Sequence, residues 1–87
     1  MMLAWFFAAS PPPPRISVEF EDTDVHAALR LIAEHGDVNL VVGDDVTGTV
    51  TMRLVDVRWE DAFAAVLAAE GLAAVRVGEV WRVSALR

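Results

Sequence analysis

The chain has no cysteine. That excludes a disulfide staple and any thiolate metal site, and leaves the redox compartment open. Lysine is absent too: all seven positive side chains are arginines, spread along a chain of net charge −6. No basic stripe exists to neutralise phosphates, so a nucleic-acid partner and an anionic membrane surface are both disfavoured. Proline occurs only at Pro11–Pro14. No apolar run approaches the roughly 20 residues that a membrane-crossing helix needs.

Eighty-seven residues make one small domain plus a tail. A chain of this size buries only about 60% of its unfolded surface, which leaves a thin stability margin. A hydrophobic share of 55% partly offsets that.

The tail is residues 1–14. Its first part, MMLAWFFAAS, has the apolar core and small-residue end of a secretory signal without the basic front. Three readings stay open: a clipped signal peptide, a start placed inside a longer gene, or a tail that docks on its own domain. Pro11–Pro14 form an extended polyproline spacer, and the folded domain is expected to run from 15 to 87.

Within that domain, Ile16, Val18 and Phe20 alternate with Ser17, Glu19 and Glu21, the period of a strand. Thr23 or Asp24 caps a helix whose apolar stripe is Val25, Ala28, Leu29, Ile32 and Ala33, and Gly36 is expected to end it. Asn39 to Val42 is a short apolar strand with the look of an interior position. Gly43, Asp44 and Asp45 make a turn, and Gly48 makes a second break. Val50, Met52 and Leu54 then alternate with Thr49, Thr51 and Arg53. The period changes again at Trp59, Ala62, Phe63, Val66 and Leu67, a second helix stopped by Gly71. Val75 and Val77 point one way in the next strand, and Ala74 and Arg76 the other. Gly78-Glu79 is a two-residue hairpin loop of type II′ leading to Val80–Val83. The order β-α-β-β-α-β-β predicts an α+β fold, two helices packed against two small β-sheets.

The two strand–helix stretches echo each other at an offset of 34 residues. Val25 aligns with Trp59, Val18 with Met52, Phe20 with Leu54, Asp22 with Asp56, Ala28 with Ala62, Leu29 with Phe63 and Ile32 with Val66. Gly36 and Gly71 fall one residue out of step. Pseudo-symmetry inside one domain and a chance likeness of amphipathic patterns both account for this. Trp59, at the junction of strand and helix, is expected to be buried against both, so that Trp59→Ala costs about 3–5 kcal/mol.

No constellation here carries chemistry. His26 and His35 are nine apart, whereas a metal pair on one helix face needs a spacing of about three or four; both are expected to be solvated. Gly43-Asp44-Asp45 lacks the alternating oxygens and closing glutamate of a calcium loop. Glu60 and Asp61 suit the positive end of a helix dipole. No nucleophile elbow and no phosphate-cradling loop occurs. The expectation is no catalytic residue, no metal, no cofactor and no small-molecule substrate. A small enzyme or metal protein is the competing class.

The ordered set of signposts resembles a known family. Phe20, Asp22 and Asp24 precede helix one, which holds Leu29 and Ile32-Ala33. Then come Asn39-Leu40-Val41-Val42, Asp45-Val46, Gly48 and Val50-Thr51-Met52-Arg53-Leu54. Trp59-Glu60 and Ala62 follow, and last Glu70-Gly71-Leu72 and Gly78-Glu79-Val80-Trp81-Arg82-Val83. This run, nearly all of residues 15–84, is similar to the secretin and TonB N-terminal short domain, and within it to the version in type IV pilus secretins. Two features depart from the family. Arg58 stands where a proline usually opens the second helix. The chain also stops at Arg87, before any ring-building domain or barrel, so a gene fragment and a free-standing domain are both expected possibilities.

The resemblance implies a non-catalytic, periplasmic, outer-membrane-associated interaction module for pilus assembly or protein secretion. Its partners would be inner-membrane components of the machine and neighbouring secretin domains, with a ring formed only as part of a full-length secretin. The alternative is the signalling module of a TonB-dependent receptor, which contacts a periplasmic anti-sigma regulator. The residues that would meet a partner are those of the polar strand faces: Ser17, Glu19, Glu21, Thr49, Thr51 and Arg53.

Overall fold

The computed structural model describes residues 15–86. The apolar segment and proline spacer at residues 1–14 lie outside them. The elements are β1 (Arg15–Asp24), α1 (Val25–Gly36), β2 (Asn39–Val42), β3 (Thr49–Arg58), α2 (Trp59–Glu70), β4 (Leu72–Val77) and β5 (Val80–Ala85). β1 and β3 form an antiparallel two-stranded sheet. The second sheet has the order β2-β5-β4, with β5 parallel to β2 and antiparallel to β4.

The helix pair separates the sheets. α1 packs on α2, β1 and β2, and α2 packs on β3 and β4; among the described residues no strand of one sheet meets the other sheet. One apolar core therefore fills both interfaces. Ile16, Phe20 and Val50 enter from the first sheet, Leu72 and Val83 from the second, and the stripes Val25, Ala28, Leu29, Ile32 and Ala62, Phe63, Val66 from the helices. Val46 drops in from the β2–β3 loop, held there by Val46 N–H donating to the Gly43 carbonyl at 3.1 Å.

Asp24 is the helix cap: its Oδ2 accepts from the amides of His26 at 3.1 Å and Ala27 at 3.3 Å. Thr23 remains in the strand. Gly36 is not the C-terminal cap. The left-handed residue is Asp37, with φ 55°, whose N–H returns to the Ala33 and Glu34 carbonyls. Gly36 is glycine for another reason: a Cβ there would sit 2.5 Å from the Trp59 indole. With Asp37 as cap, its counterpart is Gly71 at φ 65°, and the 34-residue echo stays in step through both helix ends.

The echo is built into the first sheet as well. The register slips by one residue on each strand, between Ile16 and Val18 and between Phe20 and Thr23. The extra residues form two β-bulges, with Asp22 and Asp56 in the left-handed region at φ 49° and 53°. Asp22 N–H donates to Thr51 Oγ1 at 3.0 Å, and Asp56 N–H donates to Ser17 Oγ at 2.9 Å. Each bulge thus places an amide against a hydroxyl of the facing strand, and the two arrangements are related by the same offset. Glu19 pairs with Arg53 midway between them.

One further expectation changes. β2 is an edge strand, not an interior one; Leu40 and Val42 face the helices while Val41 is 52% exposed. A four-residue apolar run is too short to show which of its sides is covered. The alternation expected for β4 holds: Ala74 packs against the core, and Val75 and Val77 lie on the outer side. The β4–β5 loop has Gly78 at φ 63° and no positive φ at Glu79, as a type II′ turn requires.

Candidate docking faces

All six polar residues singled out on β1 and β3 are exposed, and strand alternation with the pairing register brings them to one face of the two-stranded sheet. They are not equivalent there. Ser17 and Thr51 are engaged by the bulge amides of Asp56 and Asp22. Thr49 pairs with Asp24 at the end of the ribbon. Glu19, Glu21 and Arg53 are the charged groups, and among the described residues the only ion pair is Arg58–Glu60 at 3.1 Å. The face therefore offers two acids and one base to an incoming surface, on a ribbon with a bulge towards each end.

His35 is exposed as expected, whereas His26 is not simply solvated. His26 is half-buried, and its Nε2 donates to the Val46 carbonyl at 2.7 Å, tying α1 to the β2–β3 loop. His35 Nδ1 donates to the Leu31 carbonyl one turn back at 3.0 Å. In the Gly43–Asp45 turn, Asp45 Oδ2 accepts from the Ala85 amide at 3.1 Å. The turn is a clamp on β5. Among the described residues no group of three acids or histidines converges as a metal site would.

Trp59 is half-buried rather than buried. It is the first residue of α2, before the helix has turned its stripe inward, and its ring lies across Gly36 of α1. Phe63, one turn later, takes the core position. The Trp59 and Phe63 rings stand 6.0 Å apart, and Phe63 meets Trp81 of β5 edge-on at 5.9 Å. These three rings, with Ala64, Leu67 and Ala74, line an apolar groove of about 510 Å³ whose rim carries Glu60 and Arg76. The sequence does contain a signal for this groove, the small residues Ala64 on α2 and Ala74 on β4, but only the tertiary approach of those elements makes it legible.

Residues 38–86 match the family model of the secretin and TonB N terminus short domain. The chain belongs to that family. It is 42% identical over 66 residues to the fimbrial assembly protein PilQ of Pseudomonas aeruginosa, an alignment covering 76% of this chain and 9% of that protein. The single-particle structure of the Vibrio cholerae type IV competence pilus secretin PilQ superposes with a TM-score of 0.71 at 36% identity, over 79% of this chain and 17% of that one. The N0 domain of the type II secretin from enterotoxigenic Escherichia coli has the same fold, with a TM-score of 0.74 at 21% identity, covering 86% of this chain and 99% of that one. The GspC–GspD complex of the enterotoxigenic E. coli type II secretion system contains the fold too, with a TM-score of 0.65 at 19% identity, over 80% of this chain and 54% of that one. The chain spans only 8% to 18% of the length of the curated relatives it matches.

Proposed function

We propose that this chain is a non-catalytic, periplasmic protein-interaction module of an outer-membrane secretin, acting in type IV pilus biogenesis or protein secretion. The observation that carries the proposal is the 42% identity to a fimbrial assembly protein across 76% of this chain. It favours the secretin branch of the family over the TonB-receptor branch, whose modules signal to an anti-sigma regulator. A sheet–helix–sheet body that presents an outer face on each sheet suits contact with proteins more than turnover of a small substrate.

On this reading the partners are inner-membrane components of the machine, as GspC accompanies GspD in the type II system, together with neighbouring secretin domains. The polar face of β1 and β3 is the proposed meeting surface, with Glu19, Glu21 and Arg53 supplying charge and Ser17, Thr49 and Thr51 supplying hydroxyls. The test is calorimetric titration of the chain with the purified periplasmic domain of the pilus inner-membrane lipoprotein from the same organism. Saturable binding is expected, and the double substitution Glu19→Arg/Glu21→Arg should weaken it at least tenfold. Binding that ignores the charge reversal removes this face from the interface. Binding to an anti-sigma regulator in place of the lipoprotein overturns the secretin assignment.

A further inference from the structure

Among the described residues four strand edges are open, and they differ. The outer edges of β1 and β3 are interrupted by the bulges at Asp22 and Asp56, a device that spoils a template for further strands. β2 is only four residues long. β4 is different: its pairing with β5 runs from Leu72 to Val77 without a register shift, and among the described residues no strand pairs with its other side.

The hairpin fixes which backbone groups of β4 are free. Val77 and Val80 flank a two-residue loop, so they form a hydrogen-bonded pair, and the pairing alternates from there. The Leu86 amide bonded to the Gly71 carbonyl at 3.1 Å falls on the same alternation. Val75 and Ala73 are therefore engaged with β5, while the N–H and C=O groups of Leu72, Ala74 and Arg76 point to the open edge.

The surroundings of that edge suit an added strand. On its inner side, Ala74 and Arg76 line the apolar groove with Trp59, Phe63, Ala64 and Leu67. On its outer side, Val75 and Val77 are 58% and 54% exposed. β4 contains one charged residue, Arg76, in a chain of net charge −6. Arg76 Nε donates to the Gly78 carbonyl at 3.1 Å, and among the described residues no carboxylate pairs with the guanidinium.

We infer that β4 is a second docking site, which accepts by strand addition an extended segment of a different protein. That segment carries bulky apolar side chains at alternate positions to fill the groove, and a carboxylate opposite Arg76. Charge selects this occupant over a second copy of the chain, because β4 laid on β4 would bring a second arginine and no acid. The inference goes beyond the β1–β3 face and does not depend on which machine the chain serves.

The test is a displayed library of random eight-residue peptides panned on the full chain. Synthetic versions of the enriched sequences are then titrated, and amide exchange is followed by NMR. The expected peptides alternate apolar residues with at least one Asp or Glu, and they protect the amides of Leu72, Ala74 and Arg76 while leaving β1 unchanged. Ala74→Trp, which fills the groove, should lower affinity at least tenfold. Should that variant fail to fold, Arg76→Glu, an exposed substitution, should produce a similar loss for acid-bearing peptides. The inference is overturned by a library that enriches nothing, by protection confined to β1, β2 or β3, by affinity indifferent to Arg76→Glu, or by a dimer that pairs β4 with itself.

Discussion

The two strand–helix units, β1–α1 and β3–α2, are the same design carried out twice with different side chains. In the first, the residue that opens the helix is Val25, fully buried, and Asp24 caps the turn with its carboxylate. In the second, the equivalent positions are Trp59, half-buried, and Arg58, which makes no side-chain cap. A valine fits the space left between sheet and helix; an indole does not, and it spreads over Gly36 instead. The groove beside α2 is the result. Near-symmetry makes the core, and the departure from symmetry makes the surface that differs from one side to the other.

The comparison can be broken by substitution. The largest effect is expected at the core pair Leu29 and Phe63: Leu29→Ala should cost about 3–4 kcal/mol, and Phe63→Ala a similar amount, by urea melting. Trp59→Ala, by contrast, should cost only about 1–2 kcal/mol, because much of the ring already faces the groove. If Trp59→Ala matched Leu29→Ala, the two units would be equally closed. Gly36→Ala should cost about 1–3 kcal/mol, since the new methyl meets the indole. Adding Trp59→Ala in the same molecule should return most of that loss, and a double-mutant cycle reads the coupling directly. Asp24→Ala should cost about 1 kcal/mol, whereas Arg58→Ala should be close to neutral. In the opposite direction, Asp37→Gly should raise stability by about 0.5–1 kcal/mol, because glycine occupies the left-handed cap without Cβ strain.

Much of the fold was legible from periodicity. The alternation of Ile16, Val18 and Phe20 and the stripe through Val25, Leu29 and Ile32 report which side of an element is apolar, and the seven elements follow in the expected order. The misreadings share a cause: each depended on a neighbour distant in sequence. Gly36 looks like a cap because glycine serves both caps and close contacts, and only Trp59 overhead separates the two. The bulges at Asp22 and Asp56 depend on the register of one strand against another, which no single strand encodes. Val41 sits in a run too short to show its exposed side. The six polar residues of the β1–β3 ribbon were legible as one face, yet the engagement of Ser17 and Thr51 by bulge amides was not.

The position of β5 has a consequence for how the chain comes together. It comes after the other six elements described in the chain, yet it lies between β2 and β4 and bonds to both. A polypeptide emerging from the ribosome or a translocation pore could form the first ribbon and both helices early. Half of the body must nevertheless wait for its final strand, since β2 has no bonding partner until Val80 to Ala85 arrive. Trimming those six residues would leave a molten half-domain rather than a slightly shorter one.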